Sequence, residues 1–170
     1  MRGYPEDHAR TFDPPPITFT DAHGREIRIQ EYDDEREALT AMYVAFDPAD
    51  RAQGIPPADE DAVENWLEVI LAGSYNVVAV HGEECVGHAT LVPDGEDAYE
   101  LAIFVLDTHQ QAGIGSQLLE GLLGSAQADG AEHVWLTVER WNQAAIALYH
   151  KFGFETCGSE SFEMEMALRL

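Results

Sequence analysis

Apolar and polar residues alternate in "REIRIQEY", where Ile27 and Ile29 flank Arg28 and Gln30; this is the period of a half-buried strand. The pattern then changes. In "DDEREALTAMYVAF", Leu39, Met42, Tyr43 and Phe46 recur at i, i+3, i+4 and i+7, which predicts a helix that Asp33 or Asp34 can cap. The three prolines and one glycine of "DPADRAQGIPPADED" predict a loop. A second helix follows, with Val63, Trp66, Leu67, Ile70 and Leu71 on one face and Gly73 at its end. "YNVVAV" and "CVGHATLV" flank "HGEE" as a hairpin, "DGED" is a further turn, and "YELAIFVL" is a continuous apolar strand suited to a sheet centre.

Past that strand, Ile114, Leu118, Leu119, Leu122 and Leu123 mark the buried side of a third helix, and "HVWLTV" is another buried strand. A helix from near Asn142 to Lys151 stops at Gly153, a helix C-terminal glycine. "FETCGS" and "FEMEMALRL" close the chain as strands, the second alternating Phe162, Met164, Met166 and Leu168. The order β-α-α-β-β-β-α-β-α-β-β describes a mixed α+β fold with no internal repeat. Only the strand–helix–strand at 98–138 demands a parallel crossover. Residues 1–22, with "DPPP" and little periodicity, read as an extended or mobile arm, and 23–170 as one domain.

Charge changes the picture. The 170 residues carry 32 acids and nine bases, a formal net charge of -23, and the single lysine is Lys151. Such a surface repels phosphate backbones, so nucleic acid is not an expected partner. It also repels itself. The acids are scattered, as in proteins from cells with molar salt in the cytoplasm, where the Debye length falls to about 3 Å. No apolar run reaches the roughly 18 residues of a membrane span, and the first residues lack the apolar core of a signal peptide. A cytoplasmic protein is therefore expected. Cys85 and Cys157 lie far apart, and free thiols are expected, with one disulfide as the alternative.

"HQQAGIGSQLL" (109–119) joins the apolar strand to the third helix. A helix N-terminus exposes unpaired N–H groups and about half a positive charge, which makes it an anion site. Gly113 and Gly115 allow a sharp turn and close approach, and Ser116 adds a hydroxyl. A phosphate or diphosphate is the expected ligand. A P-loop is excluded because the one lysine stands in "HKFGF". A dinucleotide fingerprint is a poor fit, since Leu118 occupies the third glycine position, although Glu139 ends the next strand where a ribose contact would lie. Coenzyme A is the third class; a glycine pair at a helix start is also the chemistry of a plain turn with no ligand.

"VERWNQAAIALYHKFGF" (138–154) bears on that choice. Together with Gln110-Gln111-Ala112-Gly113-Ile114-Gly115, it resembles the GNAT family of N-acetyltransferases, whose members carry Q/R-x-x-G-x-G/A at the cofactor turn. They also carry an asparagine opening the next helix and a tyrosine before a K/E-x-G-F stretch; Asn142, Tyr149 and "KFGF" fit those places. The resemblance is specific over 98–154 and covers 23–170 in element order.

The resemblance implies a GNAT fold: a twisted, mostly antiparallel sheet of about six or seven strands flanked by about four helices. It implies acetyl-CoA as acyl donor and direct transfer to a primary amine of a small molecule or protein, with a homodimer as one oligomeric option. N–H groups from Gln111, Ala112, Gly113, Ile114, Gly115 and Ser116 would bind the diphosphate, beside Gln110. The strand 100–106 would splay from 133–138 and offer backbone groups of Phe104, Val105 and Leu106 to the pantetheine arm, with Asn142 also contacting it. Tyr149 would be the general acid for the departing thiolate. Glu100 would be the base that deprotonates an amine of pKa about 10.4.

Plainer roles compete: Tyr149 as core filler, Glu100 as one more surface acid, Asn142 as a helix cap. His88 and His109 are alternative bases. His81, Cys85 and His88 are metal-ligand types, but a turn and strand parity scatter them, so no metal is expected. The acidic surface favours a cationic acceptor, whereas Arg51 in the loop between the first two helices could pair with an acceptor carboxylate. A non-catalytic acyl-CoA sensor is the alternative from another class, and a nicotinamide oxidoreductase a third. If the acidity is an adaptation to salt, the melting temperature rises steeply from low to molar KCl; a flat response contradicts it.

Overall fold

The computed structural model describes residues 2–47, 49, 56–160 and 162–170. The strands are β1 (Ile17–Thr20), β2 (Glu26–Glu31), β3 (Tyr75–His81), β4 (Glu84–Pro93), β5 (Tyr99–Val105), β6 (His133–Glu139), β7 (Glu155–Ser159) and β8 (Glu163–Arg169). The helices are α1 (Arg36–Val44), α2 (Glu60–Leu71), α3 (Ile114–Ala128) and α4 (Gln143–Lys151), with a 3-10 turn, Asp107–His109, ahead of α3. One sheet runs β1-β2-β3-β4-β5-β6-β8-β7. Every neighbouring pair is antiparallel except β5–β6, the predicted crossover.

Strand alternation divides the apolar residues between the two faces of the sheet. Ile27, Ile29, Leu101, Val134, Leu136 and Met166 join Leu118, Leu119 and Leu122 of α3 in one core. Val78, Val80 and Cys85 join Leu39, Met42, Tyr43, Val63 and Leu67 of α1 and α2 in the other. On β5 the split falls between neighbours: Leu101, Ile103 and Val105 belong to the α3 side, and Phe104 to the α1/α2 side. The apolar face read for α3 is buried throughout.

Four local expectations need correction. The sheet has eight strands, because "ITFT" within the arm pairs with β2 through Ile17↔Ile29 and Phe19↔Ile27; the segment is too short for its alternation to stand out beside "DPPP". α1 stops at Val44, ahead of the buried Phe46. Neither Asp33 nor Asp34 caps it; their N–H groups instead donate to the Glu35 carboxylate. Phe162 lies outside β8, 69% exposed, edge-on to Trp141.

The arm is tied down before β1 begins. Phe12 is fully buried in the α3-side core and stacks on Phe152. The Arg10 guanidinium forks onto the Glu120 carboxylate at 2.7 and 3.0 Å. Gly124 of α3 makes room for the arm's backbone: a Cβ there would stand 2.5 Å from the Asp13 carbonyl carbon. Among the described residues, no helix is long and apolar enough to cross a membrane, and both cysteines are free thiols.

A buried polar chain pins α1 to the sheet. Tyr43 Oη and His88 Nδ1 are 2.6 Å apart, and His88 Nε2 lies 2.7 Å from Asn76 Oδ1. An amide oxygen only accepts, so His88 Nε2–H donates to Asn76 and Nδ1 accepts the Tyr43 hydroxyl. Burial pushes the His88 pKa down to about 3, so the ring is neutral near pH 7. Tyr43→Phe leaves His88 Nδ1 buried and unpaired, and a denaturant melt should show a loss of about 1–3 kcal/mol. Wild-type stability should also decline as pH falls from 6.5 toward 3, because the unfolded imidazole takes a proton that His88 refuses.

Candidate active site

The parallel pair β5–β6 is joined only at Tyr99↔Val134 and Glu100↔Trp135. Beyond those residues β5 continues against β4 as far as Val105↔Gly87, and β6 continues against β8 as far as Glu139↔Glu163. The strands therefore part in mid-sheet. The Leu106 N–H donates to the Val86 carbonyl at 3.0 Å. Antiparallel alternation then turns the backbone groups of Phe104 and Leu106 toward β4 and those of Val105 toward the opening. The expectation that Phe104 and Leu106 offer backbone groups to the cleft is thereby corrected; Val105 is the residue that does. Its carbonyl accepts from Gln110 Nε2 at 3.0 Å, so Gln110 closes the strand end as well as starting the glycine turn.

The backbone of that turn is unusual. Gln111 and Gly113 both have positive φ, 57° and 90°. An L-residue with a side chain is strained in this region, and such strain clusters at binding turns. Gly113 is the N-cap of α3 and supplies no capping side chain, and no acid lies in the first turn. α2 and α4 differ: Asp59 caps the first by accepting from the Ala62 N–H, and Asn142 caps the second by accepting from the Ala145 N–H at 3.2 Å. Among the described residues, no side chain caps the leading donors of α3. A Cβ on Gly115 would meet only Leu148 Cδ2, 4.0 Å away, so its surroundings are open. Ser116 sits half-buried in the same first turn, and Ala112 and Ile114 are buried beneath it.

Two hairpins brace this turn from outside. The Ala22 N–H donates to the Ala112 carbonyl at 3.1 Å, and Arg25 Nη1 donates to the Thr108 carbonyl at 3.0 Å. Arg25 is held by Asp21, whose carboxylate lies 2.7 Å from its Nε and also accepts the N–H groups of His23 and Arg25. Burial alone would raise the Asp21 pKa, but these donors outweigh it and hold the carboxyl at about 2. Arg25 Nη2 is buried without a partner among the described residues, a donor left over beside the turn. On the second hairpin, His81 Nδ1 lies 3.2 Å from Nε2 of the buried His109. Burial, then Arg25 and His81, lower the His109 pKa.

Tyr149 lies half-buried on α4, packed against the α3-side core and edge-on to Phe154. Burial pushes its pKa up to about 12, so it stays a proton donor at neutral pH, and its hydroxyl has no partner among the described residues. Glu100 stands on the opposite face, at the vertex of the opening. Desolvation beside the sheet raises its pKa; Arg2 opposes the rise, while Asp94, Glu165 and Glu163 add to it. Tyr149 and Glu100 thus lie on opposite faces of the sheet. His88 is committed to its buried chain, and among the described residues no group of three or more metal-ligating side chains converges. Arg51 lies outside the described residues.

The braces and the Tyr43–His88–Asn76 chain were missed from sequence. Their partners are far apart along the chain, and Asp21 and Arg25 resemble any other charged pair at a turn.

Residues 28–154 match the acetyltransferase (GNAT) family. An uncharacterised N-acetyltransferase of Mycobacterium bovis is 32% identical over 89 residues, which is 52% of this chain and 57% of that protein. The match therefore spans little more than half of the relative's length. Among solved structures, the GNAT domain of S. lividans PAT superposes with a TM-score of 0.75 at 18% identity, covering 91% of this chain and 97% of that one. The Salmonella typhimurium protein yncA, solved with its cofactor acetyl-CoA, superposes with a TM-score of 0.67 at 24% identity over 85% of this chain and 94% of its own.

The Asp21 brace makes a signed prediction. Its stabilisation is fully present above pH 3.8 and is lost as pH falls through about 2. Wild type should therefore melt above Asp21→Asn at neutral pH, with the gap closing between those limits. A gap that does not change with pH contradicts the brace.

Proposed function

The chain belongs to the acetyltransferase (GNAT) family, and from that membership we propose that it transfers an acetyl group from acetyl-CoA directly to a primary amine. One observation carries the reading: the opening between β5 and β6 leads straight into a helix whose first N–H groups have no side-chain cap. A diphosphate needs several donors and some positive potential, and backbone amides supply both where acidic side chains would repel it. The residues fit the carrier. Gly113 supplies the left-handed turn, Gly115 leaves room for close approach, and Val105 presents backbone toward a pantetheine amide.

Acetyl-CoA, when bound, supplies the activated acyl carbon; the remaining work belongs to the chain. N–H groups of Gln111 to Ser116 hold the diphosphate, and Val105 orients the arm in the opening. Asn142 fixes the start of α4 and so the position of Tyr149. Glu100 takes a proton from the incoming ammonium, through water across the vertex, so that the neutral nitrogen can attack. The C–N bond forms, the C–S bond breaks, Tyr149 gives its proton to the departing sulfur, and the second proton shed by the nitrogen returns through water to the Tyr149 phenolate. A phenol whose pKa burial pushes up to about 12 remains protonated until that moment.

Titrated with acetyl-CoA and, separately, with NADH at high KCl, the protein should rise in melting temperature with the first alone. Tyr149→Phe should bind acetyl-CoA normally yet lose turnover by about two orders of magnitude or more, measured as thiol release with an amine panel. Unchanged turnover removes Tyr149 from the chemistry. Tight acetyl-CoA binding with no turnover by the wild type favours a sensor.

A further inference from the structure

The acceptor side of the opening carries a cation already. α1 and α2 pack chiefly against β4, so among the described residues no helix covers the same sheet face over β6 and β8. Strand parity places Trp135, Thr137 and Glu139 of β6 and Glu163 and Glu165 of β8 on this face, with Glu100 and Phe104 of β5. Residues 2–8 of the arm cross it. The Arg2 guanidinium carbon stands 3.4 Å above the centre of the Trp135 ring. Its Nε and Nη2 both donate to Glu165 Oε1 at 3.2 Å, and its Nη1 lies 3.9 Å from Asp94 Oδ2. Asp94 Oδ2 also accepts the Trp135 indole N–H at 2.9 Å, so the aromatic platform and the second carboxylate are locked together. Two residues on, the Tyr4 ring lies over His133 with centroids 4.4 Å apart. Alternate arm residues therefore dock on alternate residues of β6, as an extended peptide does on a strand face.

This contact differs from the arm's anchors. Phe12 is buried in the core, and the His8 ring and the Ala9 N–H bond to the carbonyls of Leu170 and Arg169. Residues 2–4 instead hold on by part-exposed ion pairs and ring contacts, which are individually weak. They can lift while Phe12 stays in place.

We propose that this face is the docking surface for the acceptor, an extended peptide segment bearing arginine, and that residues 2–4 occupy it as an internal stand-in. Only the word acceptor rests on the acetyltransferase reading; the docking does not. Glu100 pairs with Trp135 across the vertex, so a peptide held on Trp135 runs beside the proposed base. An arm that fills the site about nine-tenths of the time weakens a competing ligand about tenfold.

The probe is the amidated peptide Met-Arg-Gly-Tyr with a fluorophore at its C-terminal end, titrated by anisotropy at one KCl concentration. Arg2→Ala should bind it about tenfold more tightly than wild type. The gain should vanish in the double variant Arg2→Ala, Glu165→Gln, and with the probe Met-Ala-Gly-Tyr. Equal affinity for wild type and Arg2→Ala, or a gain that survives either control, overturns the proposal. Acetyl-CoA is titrated in parallel: if no variant binds it, the acetyltransferase reading fails while a peptide gain still establishes the docking face.

Discussion

The central constraint is that β5 abandons β6 after Glu100 and Trp135. A parallel pair in the middle of an eight-stranded sheet would ordinarily continue, because each backbone group turned away from its neighbour costs free energy unless something else satisfies it. Here each strand keeps its other neighbour, β4 or β8, so the sheet survives as two halves joined at a vertex. The parting exposes Val105 toward the opening, and the glycine turn that starts α3 follows directly on the end of β5. Without it, a closed sheet would stand between Glu100 and the α3 side, where Gly113 and Tyr149 lie.

The chain's charge determines how an anion could be held there. With eight arginines and one lysine against 32 acids, side-chain recognition of a diphosphate is in short supply. Backbone amides carry no counter-charge cost, and the turn that presents them is bent by the positive φ of Gln111 and Gly113. The few cations near the turn act one step removed: Arg25 holds the Thr108 carbonyl and is itself held by Asp21. The same scarcity gives significance to Arg2, a cation spent on an open acidic face rather than on the core.

Legibility in the sequence followed the range of the interaction. The buried face of α3, the Asn142 cap and the crossover at 98–138 depend on residues a few places apart, and periodicity or capping chemistry reveals them. β1 escaped because four residues beside a proline run carry too little alternation. Phe162 fitted the alternation of β8 yet lies beyond its end, packed on Trp141 instead. The assignment of Leu106 to the opening failed because the parity of a ladder is set by its partner strand, which periodicity does not reveal. Tyr43 with His88, Arg2 with Trp135 and Arg25 with Thr108 are joined only by the fold. For the roles of Tyr149 and Glu100 the sequence offered a resemblance; the structure adds the packing of Tyr149 against the α3-side core and the place of Glu100 at the vertex, on the other face of the sheet.

A crystal structure of the protein with acetyl-CoA tests the central claim most directly. The account predicts diphosphate oxygens accepting hydrogen bonds from the N–H groups of Gln111 to Ser116, the pantetheine arm lying between β5 and β6, and the sulfur beside Tyr149 Oη. A diphosphate bound away from the Gly113 turn, or a phenol pointing away from the sulfur, would contradict it.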